Sequence, residues 1–325
     1  MRTQPEIGVL EDAVELACRA PSVHNSQPWR WVADRDGLQL FLDAGRLVAT
    51  DRSGREALLS CGAVLDHLRV SLAASGWISH VDRYPNPNDS THLASIDFSP
   101  MSYATEAHRL RAGAILRRRT DRLPFGPPPN WESLETLLRS AIDESVAMLD
   151  VVADTARPRL AEASRLSESL RLYDSDYHAE LEWWTGSFGG ADGIPNGSLV
   201  STAESDRVDV GRVFPASNHH RERRLSVPED RSTVLVISAH GDSRRDVLGC
   251  GETLSQILLE ATMAGMATCT LSHLTEVAVS RDIIATLVGR ENPQVLIRIG
   301  VTPALDDTPP PTPRRHLSDV LEIRR

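Results

Sequence analysis

The sequence predicts a mixed chain of helices and strands built from two similar halves, on three observations. Val247 to Met266 (VLGCGETLSQILLEATMAGM) aligns without a gap on Leu58 to Trp77 (LLSCGAVLDHLRVSLAASGW) at an offset of 189 residues, and it repeats Leu59, Cys61, Gly62, Leu65 and Gly76 as Leu248, Cys250, Gly251, Leu254 and Gly265. Five identities in these twenty positions exceed the roughly one expected by chance, the mark of an internal duplication. Each copy follows a strand candidate (LQLFL, TVLVISA) and precedes another (HLASIDF, QVLIRIG). The 325 residues suffice for two cores or for one large fold of two halves. Convergence of two buried helices on small residues, where helices approach closely, is the alternative to duplication.

The elements follow in order. Glu11 to Ala20 has a short apolar face, and Pro21 ends it. The loop Ala20 to Trp31 (APSVHNSQPWRW) leads into WRWVA and LQLFLD, a strand pair joined by the Arg35-Asp36-Gly37 turn. Arg55 to Gly76 places Leu58, Cys61, Leu65, Leu68 and Leu72 on one helical face, widened by Val64 and Ala73, and is expected to be buried. Gly113 to Pro129 reads GAILRRRTDRLPFGPPP, and amphipathic helices are expected over Trp131 to Ala141 and Pro158 to Trp184. Thr185 to Ser232 is rich in Gly, Ser, Asn, Asp and Arg without apolar periodicity, the mark of a lid, a binding loop or a disordered segment. The proline run of TPPPTPRRHLSDVLEI predicts an arm laid over a surface.

A net charge of -10 opposes the basic excess that phosphate neutralisation needs, so no nucleic-acid partner is expected. With 41% hydrophobic and 25% charged residues, wholesale disorder is excluded. No run of 18 apolar residues occurs, and the start lacks a long apolar core, so no membrane partner is expected and the location is read as cytoplasmic. Cys18, Cys61, Cys250 and Cys269 lack CxxC spacing and nearby His ligands, and read as reduced, buried small hydrophobes; no metal site is expected.

The motifs GxxxxGK[ST], HExxH and GxSxG are absent. GCGETL resembles part of a dinucleotide fingerprint but lies inside the second buried helix, not at a strand-to-helix turn. His219 and His220 read as a solvated pair. Arg117, Arg118, Arg119 and Arg122, with Thr120 among them, and Arg314 with Arg315 form two clusters that suit a phosphate, because a guanidinium fork grips an anion bidentately. A solvated basic face is the alternative. Ser22, Asn25 and Gln27 can donate to and accept from a heteroaromatic ring edge, and Pro21 and Pro28 are expected to aim the backbone amides one way. A plain polar turn is the alternative there.

APSVHNSQPWRW, TDRSGREALLSCGAVLDHLRV, ILRRRTDRLPF, LRLYDSDYHAELEWWTG and TPRRHLSD together resemble the FMN-dependent nitroreductase family over nearly the whole chain. The resemblance implies an α+β flavoprotein fold with FMN as cofactor. Pro21, Ser22, His24, Asn25 and Gln27 would contact the isoalloxazine and ribityl region. Arg118, Thr120, Arg122 and Arg315 would serve the phosphate and chain, with Arg119 and Arg314 as near neighbours. Thr270, Leu271, Ser272 and His273 would run beneath the flavin, and no catalytic side chain is required because the flavin does the redox chemistry.

In ordinary members two identical subunits share each flavin. Here the RRxTxR element follows the PSVHN loop, which implies a first repeat over residues 1–103 and a second over 104–325, containing a lid insertion over about 158–232 and an arm over 308–325. One composite site per chain is then expected, in a monomer of fused halves or a loose homodimer. The faint echo of the loop at Phe214 to Asn218 is read as coincidence. Two functions follow: FMN held under a lid carrying Tyr173, Tyr177, Trp183, Trp184 and Phe188, or turnover with NAD(P)H as hydride donor to a nitroaromatic or quinone.

Overall fold

The computed structural model describes residues 4–186, 190–215, 222–305 and 309–324. They divide into two compact units. Unit 1 comprises residues 1–118, 243–259 and 313–325, and unit 2 comprises 119–242 and 260–312. Among the expected features, Phe188, the His219–His220 pair and the Ala216–Asn218 part of the loop echo lie outside the described residues.

From the N-terminus run helix α1 (Ile7–Ala17), strands β1 (Trp29–Asp34) and β2 (Gly37–Leu42), helix α2 (Arg55–Ala74), strands β3 (Trp77–Arg83) and β4 (His92–Pro100), and helix α3 (Glu106–Arg117). There follow α4 (Trp131–Ser140), β5 (Ala147–Val151), α5 (Arg157–Leu170), α6 (Ser175–Thr185), α7 (Thr202–Ser205) and β6 (Thr233–Ala239). The chain closes with α8 (Arg244–Met263), β7 (Ala267–Leu271), α9 (His273–Glu276), α10 (Ala278–Val288), β8 (Asn292–Gly300), α11 (Leu317–Val320) and β9 (Leu321–Ile323).

Unit 1 carries a sheet of order β3-β4-β2-β1-β9. The hairpin β1–β2 is antiparallel from Trp29↔Leu42 to Asp34↔Gly37, so the Arg35-Asp36 turn falls where the sequence puts it. Its inward face buries Trp29, Trp31, Leu38 and Leu40, and α2 buries Leu58, Leu65, Leu68 and Leu72 in the same unit. Each such leucine contributes about 2 kcal/mol of transfer free energy. Strand β9, from the far end of the chain, joins β1 in parallel through Trp31↔Leu321 and Ala33↔Ile323. That pairing anchors the C-terminal arm. Helix α2 has the length and apolarity of a membrane span, but 83% of that window is buried within the fold.

Unit 2 carries a four-stranded sheet of order β5-β6-β8-β7, antiparallel throughout. Its core gathers Phe125, Leu160, Val234, Val236, Cys269, Leu274, Ile284 and Leu296. Read from the other edge, β7-β8-β6-β5 repeats the order β3-β4-β2-β1, with a long helix between the second and third strands of each set; the β1–β2 and β3–β4 hairpins of unit 1 are replaced in unit 2 by longer connections that carry α5–α7 and α9–α10. The two long helices, α2 and α8, each have 20 residues and start 189 positions apart.

Several boundaries differ from the sequence expectation. Helix α1 begins at Ile7 and ends at Ala17 rather than covering 11–20, with Cys18 closing it. The expected helix from Pro158 to Trp184 is two helices, because the Asp174 side chain accepts the Tyr177 N–H and starts α6 afresh. Unit 1 takes in α3, the first 16 residues of α8 and the arm together with the N-terminal elements. All four cysteines are buried and free, and burial pushes the Cys18 thiol up to about 12.

Candidate functional site

The loop after α1 is strained and self-closed. His24, Asn25 and Gln27 have φ of 49°, 59° and 52°, in the left-handed region that costs non-glycine residues energy and clusters at ligand sites. Their conformation turns the amides back on the loop. Asn25 N donates to Ser22 O (3.0 Å), Ser26 N to Val23 O (2.8 Å), Gln27 N to Ser22 Oγ (3.1 Å), and Val23 N to Ser60 Oγ (3.2 Å) on α2. This corrects the expectation that the prolines aim these amides at a ligand. Arg46 Nε donates to Ser26 O at 2.9 Å and clamps the loop from behind. The side chains, not these amides, are what the loop can offer.

Those side chains meet the C-terminal arm. Asn25 Nδ2 donates to Pro313 O at 3.2 Å, and Gln27 Oε1 accepts the Arg315 N–H at 2.9 Å. The Arg315 guanidinium lies 3.4 Å from Asp43 Oδ2 and donates to Asp319 O at 2.6 Å. Arg314 reaches the carbonyls that end α1, donating to Cys18 O (2.9 Å), Arg19 O (3.1 Å) and Ala20 O (3.2 Å), where a cation also suits the helix dipole. Arg118 closes α3 and donates to the same Arg19 carbonyl at 3.5 Å. Burial first, then the neighbouring Arg118 and Arg19 guanidinium groups, push Arg314 down to about 9. An anion here would reverse that cost.

One residue beside this cluster escaped the sequence reading. His67 lies on α2, fully buried, with Nδ1 3.0 Å from Ala63 O. Burial and then Arg118 push it down to about 3, so it is neutral at physiological pH. A lone histidine inside an apolar helical stripe was the only signal available. Asp43 was missed too, because nothing in sequence links it to Arg315.

The remaining sequence candidates lie in unit 2. Thr120 bridges Thr268 in parallel, and Asp121 N donates to Thr268 O at 2.9 Å, which lays residues 119–122 along β7. Arg119 donates to Pro309 O (2.9 Å) and Arg122 to Ser198 O (3.3 Å). Thr270 and Leu271 end β7; Ser272 Oγ lies 2.7 Å from Glu276 Oε1. His273 is 1% exposed, with Nε2 2.9 Å from Ser164 Oγ on α5, and burial pushes it down to about 3. Its side chain is a neutral core group of unit 2. Tyr177 is likewise a core group: its ring is buried in unit 2 beneath Arg171, 4.4 Å from its centroid.

No family model matches the chain. The chain is 58% identical over 318 residues to "Putative NAD(P)H nitroreductase acg" of Mycobacterium tuberculosis, covering 97% of this chain and 96% of that one. A second protein of that organism, also named as a putative NAD(P)H nitroreductase, is 35% identical over 323 residues, 98% of this chain and 92% of its own. Among solved structures, one of a "putative nitroreductase" from Anabaena variabilis matches with a TM-score of 0.53 at 10% identity, over 93% of this chain and 90% of that chain, a likeness of fold. Identity of this order over nearly the full length of both chains, together with the shared fold, shows that this chain belongs to the nitroreductase family of the mycobacterial acg protein.

Proposed function

We propose that this chain holds one FMN, with Ser22, His24, Asn25 and Gln27 toward the ring and ribityl chain and Arg118, Arg314 and Arg315 toward the phosphate. The observation that carries the reading is the shared Arg19 carbonyl: Arg118 and Arg314, from positions 99 and 295 residues further along, both donate to it, directly before the Pro21 loop. Two guanidinium groups in a largely buried place beside a strained polar loop form the donor set that a phosphorylated, polar-edged planar cofactor requires. The loop belongs to the first repeat, and Arg118 and the arm to the second. We propose the duplication as the origin of that division, since the two sheets repeat one strand order.

Bound FMN would supply the redox chemistry. The chain's own residues bind and orient it, while the neutral His67 adds no positive charge to the arginines.

We also propose that the 158–232 segment covers the flavin. The support is the exposure of Tyr173 (94%), an aromatic ring on that segment large enough to cover a planar ligand. Turnover with NAD(P)H, which the names of the relatives suggest, is the second reading, favoured by the burial of Tyr177 inside unit 2 instead of over a ligand.

Two measurements test these readings. Arg118→Ala with Arg314→Ala should yield folded, colourless protein, whereas retained stoichiometric FMN, or two flavins per chain in the parent, rejects the single site. Anaerobic NADPH should leave the flavin absorbance of the parent unbleached and bleach it once residues 165–200 are trimmed; prompt bleaching of the parent establishes turnover instead.

A further inference from the structure

Helix α3 of unit 1 buries Ala112, Ala114 and Ile115 and leaves Glu106, Leu110, Leu116 and Arg117 exposed. Leu110 is 54% and Leu116 60% exposed. Single exposed leucines are ordinary on a protein surface. These two flank Gly113 on one side of the helix, since residues three, four and seven apart share a face.

Gly113 stands in mid-helix, where a glycine loses more backbone entropy than any other residue and weakens the helix. A Cβ added there would meet nothing within 4 Å, so no described neighbour requires its absence. Gly62 of α2 shows the opposite case, because a Cβ there would strike the backbone of Leu248 and Gly251 on α8. That crossing shows what a bare helical backbone permits: close approach of a second helix. At Gly113 the approach is open from outside the chain.

The charges select what approaches. Glu106 lies in the first turn of α3 and Arg117 in the last. Glu106 is 3.5 Å from Arg109 in an exposed pair, which holds it only weakly. Two copies of α3 packed in parallel would set Glu106 against Glu106 and Arg117 against Arg117. Antiparallel copies with glycine over glycine would oppose Arg109 to Arg117. The antiparallel register that seats Leu110 over Gly113 of the partner subunit brings Glu106 beside Arg117 of the partner subunit and Leu116 beside the partner's Ala107, and a two-fold axis repeats every contact.

We propose that this face of α3 is a self-complementary docking surface for a second copy of the chain, packed antiparallel with Leu110 over the partner's Gly113 in both directions. With 12 residues the helix is about 18 Å long. Such a contact falls short of the ~1,600 Å² of a stable interface, so the dimer is reversible, with a Kd of about 10–100 µM. Leu110, Gly113 and Leu116 are not among the residues proposed for the flavin, and the two readings fail separately.

The test is sedimentation velocity of the full-length protein, as purified with its flavin, from about 1 to 300 µM chain, a range that brackets that Kd. The parent should show a monomer–dimer equilibrium. Leu110→Glu with Leu116→Glu should weaken it at least tenfold with flavin content and circular dichroism unchanged. Glu106→Arg should weaken it about tenfold through like charges, and adding Arg117→Glu should restore it to within about threefold of the parent. Gly113→Ala should weaken the dimer yet raise the thermal midpoint of the dilute monomer, a combination that a purely structural glycine would not give. A monomer at every concentration overturns the proposal, as does a dimer indifferent to the leucine variant or a charge exchange that fails to restore association. Should the leucine variant lose its dichroism, the charge exchange carries the test.

Discussion

Gly62 of α2 and Gly251 of α8 touch backbone to backbone: a Cβ added to Gly62 would lie 2.8 Å from Gly251 Cα, and one added to Gly251 would lie 2.9 Å from Gly62 Cα. The contact is reciprocal. Gly62 faces the Leu248 carbonyl and Gly251 faces the Leu59 carbonyl, and both pairs are equivalent across the 189-residue offset. Ser255 Oγ donates to Asp66 Oδ2 at 2.5 Å across the same offset. Equivalent residues meeting each other is the signature of an isologous, two-fold contact, here within one chain.

Gly62→Ala or Gly251→Ala should therefore destabilise the protein by about 3 kcal/mol, the upper range for overpacking, because the obstructing atoms are backbone and cannot rotate away. Urea unfolding measures it. A midpoint unchanged from the parent would mean that the helices separate freely at this crossing.

Arg83 on β3 grips Glu252 on α8 with two hydrogen bonds of 2.6 Å, and the Glu252 side chain is 4% exposed. Arg83→Ala should cost about 3 kcal/mol, the low end for breaking a buried pair, since Arg69 remains 3.5 Å from the carboxylate. Replacing both partners, Arg83→Met with Glu252→Leu, should cost less than Arg83→Ala alone. A double variant as damaged as the sum of the singles would contradict the pairing.

Acid should unfold the protein partly through two histidines. His67 and His273 are held near 3 in the folded chain against 6.5 for an ordinary imidazole, so the unfolded chain binds their protons first. Their stabilising contribution is complete above pH 6.5 and is lost as pH falls toward 3. Each adds up to about 1.4 kcal/mol per pH unit to the slope in that window. Urea unfolding from pH 7 to 4 should show a slope reduced by about one proton in His67→Gln, and a parallel curve would place that titration elsewhere.

The arm should be released by loop substitutions. Asn25→Ala with Gln27→Ala removes the hydrogen bonds to Pro313 O and Arg315 N, leaving β9 and the side-chain contacts of Arg314 and Arg315 as the remaining ties. Trypsin cleavage after Arg314 or Arg315, followed by mass spectrometry, should accelerate about tenfold, as expected for the loss of roughly 1.4 kcal/mol of local protection. Unchanged kinetics would show that the β1–β9 pairing and the Arg314 and Arg315 contacts suffice to hold the arm.

Much of the fold was legible in sequence where one local pattern decides. The helical spacing of Leu58, Cys61, Leu65, Leu68 and Leu72 identifies α2, and alternation with a Gly turn identifies β1 and β2. The break before α6 was not legible, since Asp174 acts as a cap only once its side chain meets the Tyr177 N–H. In the site, the residue types of the Pro21 loop and the arginine clusters were legible as ligand-binding chemistry. The direction of the loop amides was not, because it depends on left-handed φ at His24, Asn25 and Gln27 that Ser22, Ser60 and Arg46 hold from outside the local pattern.

The sequence by itself determined the family, the paired buried helices and the kinds of donor available, because these rest on residue type and short-range period. Tertiary structure decided which donors act together: the RRRTDR element parts after Arg118, which joins Arg314 at the end of α1, while Arg119 and Arg122 line a cavity with Arg223 and Arg224. Side chains that are neighbours in sequence follow their own backbone elements, here α3 on one side and the stretch along β7 on the other. A charge that stands alone in sequence acquires its partners only when those elements pack.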